Sequence, residues 1–163
     1  MTVGDKGKGV VAVLRVRGSV HLRKSIGDTL NLMNLNKINH CVITNAGVIK
    51  PMLTIVNDYV TWGEVTEKTL ADLIRKRGRV IGDKPVDDEY VKKNSDYDSI
   101  ASLSKAILEG SAKLRDVKGL KPVFRLTPPL KGFERGGIKK NVKIGGALGY
   151  RGEEMNKLIE RMI

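Results

Sequence analysis

A single cysteine, Cys41, excludes an internal disulfide, and with only two histidines no Cys/His set exists for a zinc staple. Cys41 lies in the apolar run HCVI, where a small buried hydrophobe is expected rather than a reactive thiol. No basic-then-apolar leader pattern opens the sequence. No apolar run approaches the ~20 residues of a membrane span, so no membrane partner is expected and the expected compartment is cytoplasmic. Aromatic residues make up only 4% of the chain, too few for a surface whose main task is stacking single-stranded bases. Catalytic constellations are missing too. His40 lies in an apolar strand and is expected to be a satisfied sheet residue, not a base. Asp87, Asp88 and Glu89 are consecutive on a polar connector, the setting of solvated carboxylates more often than of a metal site. GGALGYRG lacks both the G-x-G-x-x-G spacing and the strand-to-helix context of a dinucleotide loop, and no Walker lysine motif is present. The expectation is a protein with no cofactor, no metal, no catalytic residue and no small-molecule substrate.

What the sequence has in excess is positive charge, +12 in 163 residues, and it is unevenly spread. Residues 1–24 carry six bases and one acid, residues 25–63 are neutral, and residues 64–110 carry nine bases and ten acids. The segment 121–152, KPVFRLTPPLKGFERGGIKKNVKIGGALGYRG, then brings eight Lys/Arg against one acid, Glu134, together with seven glycines. Two basic blocks around a neutral body point to a polyanion touched at two places. Segment 121–152 has too few apolar side chains to offset the entropy of ordering its backbone, so it is expected to be held by what it binds.

The hydrophobic pattern divides the chain into a basic tail over 1–8, an α/β core over 9–65, a helical extension over 66–120, a basic glycine-rich arm over 121–152 and a docking helix over 153–163. In VVAVLRVRG, period-two alternation puts Ala12, Leu14 and Val16 on one strand face and Val11, Val13, Arg15 and Arg17 on the other. That second face is read as an outer one, with both arginines either solvated or aimed at phosphate. Ser25 is placed as the cap of a helix carrying Ile26, Leu30 and Met33. Its start, beside Arg23 and Lys24, is either an ordinary capped end or a phosphate seat. A strand over 38–44, a turn at 45–47, a short helix over 52–57 behind Pro51, and a strand with Val60 and Trp62 on one face follow. Strand, helix, strand, helix, strand makes a two-layer sandwich. Thr66 caps a helix with a Val65/Leu70 staple that Gly78 stops. Arg75, Lys76 and Arg77 in its last turn fit the helix dipole and RNA contact equally well. A connector over 79–97, a helix capped by Asp96 or Asp98 with Ile100, Leu103 and Ile107 inside, and a strand over 123–126 lead into the arm. Met155, Leu158, Ile159 and Met162 mark an amphipathic terminal helix that docks the arm's far end.

Within the arm, glycines between bases let the backbone approach phosphates, and Phe133 and Tyr150, flanked by Lys, Arg and Gly, are placed to stack on or wedge into RNA. The residue-level candidates are Arg15, Arg17, Arg23 and Lys24 near the start, and Lys131, Phe133, Arg135, Lys139, Lys140, Lys143, Tyr150 and Arg151 in the arm. Shape and phosphate reading of a folded RNA fits this set best. A nucleic-acid chaperone or architectural protein using the same patches is the alternative, and a nucleotide-using enzyme built on GGALGYRG a third.

The succession VLRVRG, RKSIGDTLNLMNL, NHCVIT, TIVNDYVTWGEV, TLADLIRKRGR, FRLTPPLKGFERGGIKK and GGALGYRG resembles the ribosomal protein L-thirty family of the large subunit. The form looks like the long archaeal type, similar to the eukaryotic protein called L-seven, and the resemblance runs from about Val10 to Ile163. It implies an α+β fold: a β-α-β-α-β core with an antiparallel sheet related to the ferredoxin-like arrangement, extended by helices and the basic loop. It also implies a structural, non-enzymatic constituent of the cytoplasmic ribosome. The partners implied are large-subunit rRNA, in the neighbourhood of the 5S rRNA, and adjacent large-subunit proteins. On this resemblance Arg17, His21, Arg23 and Lys24 fall on the core RNA-contacting loop, and Lys131, Arg135, Lys139 and Lys140 on the basic glycine loop.

Overall fold

The computed structural model describes residues 9–163; the tail 1–8 lies outside the described residues. Five strands form one sheet in the order β4-β2-β1-β3-β5. These are β1 (Val10–Arg15), β2 (His40–Asn45), β3 (Val60–Glu64), β4 (Val123–Arg125) and β5 (Gly149–Tyr150). β1 runs antiparallel to β2 and β3, β4 antiparallel to β2, and β5 parallel to β3. The fold is α+β with the antiparallel core expected.

Alternation along β1 sorts the core. Val11 and Val13 face a cluster with Leu30, Leu35, Leu53 and Val56 under α1 (Lys24–Leu32) and α2 (Ala46–Val56). Ala12 and Leu14 face a larger cluster under α3 (Glu67–Arg77), α5 (Ile100–Glu109) and α6 (Glu154–Glu160). Both sheet faces are therefore covered. The β1 face read as an outer one lies beneath α1 and α2, and the two-layer sandwich of residues 9–65 acquires a third layer from the rest of the chain.

Several local expectations are corrected by tertiary contacts. α1 starts at Lys24, with Arg23 and not Ser25 at the cap position; the Ser25 carbonyl instead accepts from the Thr29 hydroxyl at 2.8 Å. α2 begins six residues before the expected start because Asn45 caps it, its Oδ1 accepting from the Gly47 N–H at 3.0 Å. Pro51 sits inside this helix. The carbonyl it leaves without a donor belongs to exposed Gly47, where water can serve, so the usual penalty of an interior proline is reduced. Thr66 caps α3 and Gly78 follows it, and both staple residues are buried. The connector 79–97 contains a further helix, α4 (Asp88–Asn94), with one buried residue, Val91; that is too weak a periodicity to read. Ser99, not Asp96 or Asp98, caps α5, while Asp88 reaches across to accept from the Ile100 N–H at 2.9 Å.

The segment 121–152 is built into the body. Its ends supply both edge strands, and Phe124, Leu126, Ala147 and Leu148 are buried. Beyond it, Met155, Leu158, Ile159 and Met162 of the terminal helical segment are all buried, as their spacing predicts. α6 approaches β3 at Gly63, where an added Cβ would stand 2.2 Å from the Gly152 carbonyl oxygen and 2.9 Å from Met155 Cβ. No helix among the described residues is long and apolar enough to cross a membrane. Replacing Gly63 by Ala should force β3 and α6 apart and cost about 2–3 kcal/mol, read as a lowered urea midpoint with an unchanged slope.

Candidate nucleic-acid interface

Strand direction alone gathers the cations. β1 ends, β2 begins, β3 begins, β4 ends and β5 begins at the same end of the sheet, because only the β3/β5 pair is parallel. The loop from Val16 to Arg23 therefore emerges where the arm leaves β4 and where it re-enters at β5. Since β4 and β5 are opposite edges, the arm crosses the whole of that end.

The first loop is held from below by Arg15. Its side chain is buried, 2% exposed, and donates to the carbonyls of Arg17 at 2.9 Å, Leu35 at 2.8 Å and Asn36 at 2.9 Å, and to Ser19 Oγ at 2.8 Å. Burial lowers its pKa. Arg15 is thus withdrawn from the phosphate-facing set: its face is covered by α1 and α2, and its donors are consumed inside the protein. Arg17, two residues on, lies half-buried, its guanidinium 4.7 Å above the Tyr59 ring and one nitrogen donating to the Asp58 carbonyl at 3.1 Å. His21, at φ 55°, and Arg23 and Lys24 at the start of α1 are exposed.

The arm makes its own internal ladder. Gly136 N–H donates to the Gly145 carbonyl, Ala147 N–H to Gly137, Leu148 N–H to Lys140 and Val142 N–H to Leu148. A Cβ at Gly146 would sit 2.1 Å from the Lys140 oxygen, and one at Gly136 2.5 Å from the Gly145 oxygen. These two glycines serve contact between the arm's own limbs, where contact with phosphate was expected. Phe133 is half-buried against Val16, Ala147 and Leu148 and also packs on the large core, so its ring is a wedge within the protein and is not presented for stacking. Arg151 is buried as well. It forms a two-pronged ion pair with Glu134 and donates to the Ala147 carbonyl at 3.3 Å, which removes it from the exposed set. Tyr150 keeps an exposed face, but its ring tilts against Trp62 at 4.7 Å and its hydroxyl donates to Glu64 at 2.6 Å. That hydrogen bond, then burial, push its pKa up to about 12.

Lys131, Arg135, Lys139, Lys140 and Lys143 remain. All five are exposed, and none lies within ion-pair distance of a carboxylate among the described residues. The Val16 contact with Ala147, Leu148 and Phe133 joins the first loop to the arm, making one basic edge out of two blocks. Sequence reasoning missed the place of Arg77, which donates to Thr127 Oγ1 at 3.3 Å beside the arm's exit, while Arg75 pairs with Asp88 at 3.6 Å. It also missed exposed Lys37 in the loop before β2; only the topology puts that residue at this end. Elsewhere, Cys41 is buried and its thiol is pushed up to about 12 by that burial. His40 is a sheet residue as expected, but it is not fully satisfied: Nδ1 is buried without a partner, and burial together with the Arg125 charge holds the imidazole below its usual pKa.

The Arg151 hydrogen bond, outweighing partial burial, holds the Glu134 carboxyl below the usual carboxylate range. A depressed carboxylate contributes stability above its unfolded pKa and loses it as pH falls through the folded one. Glu134→Gln should therefore destabilise the protein by about 1–3 kcal/mol at pH 7, with the gap to the parent closing in acid below the unfolded value; melting curves over that pH range check it.

The comparisons agree with this architecture. The family model described as ribosomal protein L30p/L7e matches residues 11–60, which span β1 to the start of β3. A protein of Methanosphaera stadtmanae named large ribosomal subunit protein uL30 is 50% identical over 153 residues, covering 93% of this chain and 99% of that one. Proteins of the same name from Methanopyrus kandleri and Methanobrevibacter smithii are 49% and 48% identical, over 91% and 93% of this chain and 100% and 98% of their own lengths. The shared length includes the helical extension and the arm as well as the β-α-β-α-β core, and on that ground the chain belongs to the ribosomal protein L30p/L7e family.

Proposed function

We propose that this protein is a structural constituent of the large ribosomal subunit that binds folded rRNA through phosphate and shape contacts. One observation carries the reading beyond family membership: exposed cations from two distant stretches of sequence share one end of the sheet, with no carboxylate partner among the described residues. Phosphate contacts of this kind fix position and orientation without reading bases, as a scaffolding role in a ribonucleoprotein requires. The contact set is Arg17, His21, Arg23 and Lys24 from the first loop and Lys131, Arg135, Lys139, Lys140 and Lys143 from the arm, with the exposed face of Tyr150 at its border. Arg15, Phe133 and Arg151 support this set from within. The partners are large-subunit rRNA, in the neighbourhood of the 5S rRNA, and adjacent large-subunit proteins. In this reading the chain is a scaffold and not an enzyme.

Cosedimentation with the large subunit at about one copy per particle in moderate salt is the expected result. Recovery only at the top of the gradient would favour a nucleic-acid chaperone acting away from the ribosome. Replacing Arg135, Lys139 and Lys140 together by Ala should lower the slope of log affinity against log salt by about 2–3 and leave the thermal melt in place. An unchanged slope would remove the arm from the interface.

A further inference from the structure

Of the cations in the proposed contact set, one is held differently from the rest. Arg17 has a side-chain hydrogen bond within the protein, from Nη1 to the Asp58 carbonyl at 3.1 Å, and its guanidinium lies 4.7 Å from the centre of the Tyr59 ring. No such bond holds Arg23, Lys24 or the five exposed cations of the arm among the described residues. The backbone of Arg17 is fixed as well. In the register of β1 with β3, Arg15 lies opposite Val60, so Val16 falls opposite Tyr59. There the N–H groups of Val16 and Arg17 both donate to the Tyr59 carbonyl, at 2.9 and 3.2 Å. Two residues opposite one is the hydrogen-bond pattern of a β-bulge, which bends a strand and re-aims the side chains that follow. Simple alternation would send Arg17 the way of Arg15, beneath α1 and α2; the bulge brings it out over Tyr59 instead. The Arg17 carbonyl in turn accepts from Arg15 Nε at 2.9 Å.

These backbone bonds already join the first loop to Tyr59, so the stack is not needed to hold the two together. What it fixes is the plane of the guanidinium. A guanidinium carries its N–H donors in a rigid fork. Nη1 is engaged by Asp58, while Nε and Nη2, side by side along one edge, have no acceptor among the described residues. An edge of two parallel N–H groups matches two oxygens of one phosphate. A lysine offers a point charge on a flexible stem, and it loses side-chain freedom when binding orders it. Arg17 has lost that freedom on folding.

We infer that Arg17 is a fixed fork that takes one rRNA phosphate side-on through Nε and Nη2, and that Tyr59 is the positioning residue that aims it. The lysines of the basic edge then supply attraction, and Arg17 sets the register in which the chain sits on the RNA. Tyr59 is suited to this task because its ring is packed against the apolar cluster beneath α1 and α2, which gives the platform a rigid base. The inference rests on the rRNA binding proposed above and adds to it which cation is pre-aimed and by what.

The test measures binding of the full chain to protein-free large-subunit rRNA over a range of salt, with ethylation interference to map the phosphates that matter. Arg17→Lys keeps the charge and removes the fork. Affinity should fall about tenfold at every salt concentration, with the slope of log affinity against log salt unchanged. Tyr59→Leu should weaken binding about fivefold, again at constant slope, and Tyr59→Phe, which keeps the ring, should bind as the parent does. One phosphate whose ethylation blocks the parent should become silent in the Arg17→Lys and Tyr59→Leu chains, while the other interfering phosphates stay. Parental affinity in either of these two chains, or an interference map that neither changes, overturns the inference and leaves the ribosomal reading standing. Should Tyr59→Leu lower the thermal melt, Arg17→Lys, at a residue outside the apolar clusters, decides alone. If the parent chain does not bind large-subunit rRNA, it is the ribosomal reading that fails.

Discussion

The arrangement of the basic edge depends on one buried cation. Arg15 ends the central strand with its guanidinium enclosed, and no carboxylate among the described residues meets it; three backbone carbonyls and the Ser19 hydroxyl accept its hydrogen bonds instead. A buried charge left without partners would be strongly destabilising, so those acceptors are obliged to stay where they are. Two of them lie in the turn after α1 and two in the loop after β1. The same enclosed side chain therefore fixes the backbone from which Arg17, His21, Arg23 and Lys24 project.

The arm solves a matching problem with the opposite chemistry. Its one acid, Glu134, is spent on buried Arg151, and Arg161 approaches the same carboxylate at 3.7 Å. With that acid occupied, the exposed lysines and Arg135 have no carboxylate within ion-pair distance among the described residues. Phe133 and Leu148 close against Val16 beneath them. Charge segregation of this kind is unfavourable for a free protein, through self-repulsion, and favourable once phosphate supplies the counter-charge.

Much of the fold was legible in the residues. β1, α3 and the terminal helix were plain because their apolar spacing is regular and their ends carry Thr66, Gly78 and the Met155-to-Met162 series. α2 was cut short because a proline suited to a first turn drew the boundary, although Ile49, Leu53 and Val56 already repeat at helical spacing ahead of and beyond it. α4 was missed because seven residues with one buried side chain have no period to detect, and its capping partner lies in another helix. Among the site residues, exposure was read correctly for the lysines of the arm and wrongly for Arg15, Phe133 and Arg151. Arg15 lies in an apolar strand, and Phe133 and Arg151 in basic, glycine-rich stretches; Arg15 and Arg151 are buried and Phe133 half-buried by contacts that no local pattern of the sequence shows.

The sequence by itself determined that the positive charge lies in two separated stretches around a neutral body, because composition and charge blocks are properties of the chain before it folds. It also determined the alternation of β1 and the faces of the long helices, which follow from local backbone periods. Only the tertiary structure decided which arginine faces outward: Arg15, the last residue of β1, is enclosed beneath α1 and α2, while Arg17 lies two residues on in the loop, half-buried over the Tyr59 ring. Only the strand order decided that the two basic stretches share an edge and that the two ends of segment 121–152 supply the edge strands. Both follow from long-range pairing, and pairing across a hundred residues leaves no mark in any local window of sequence.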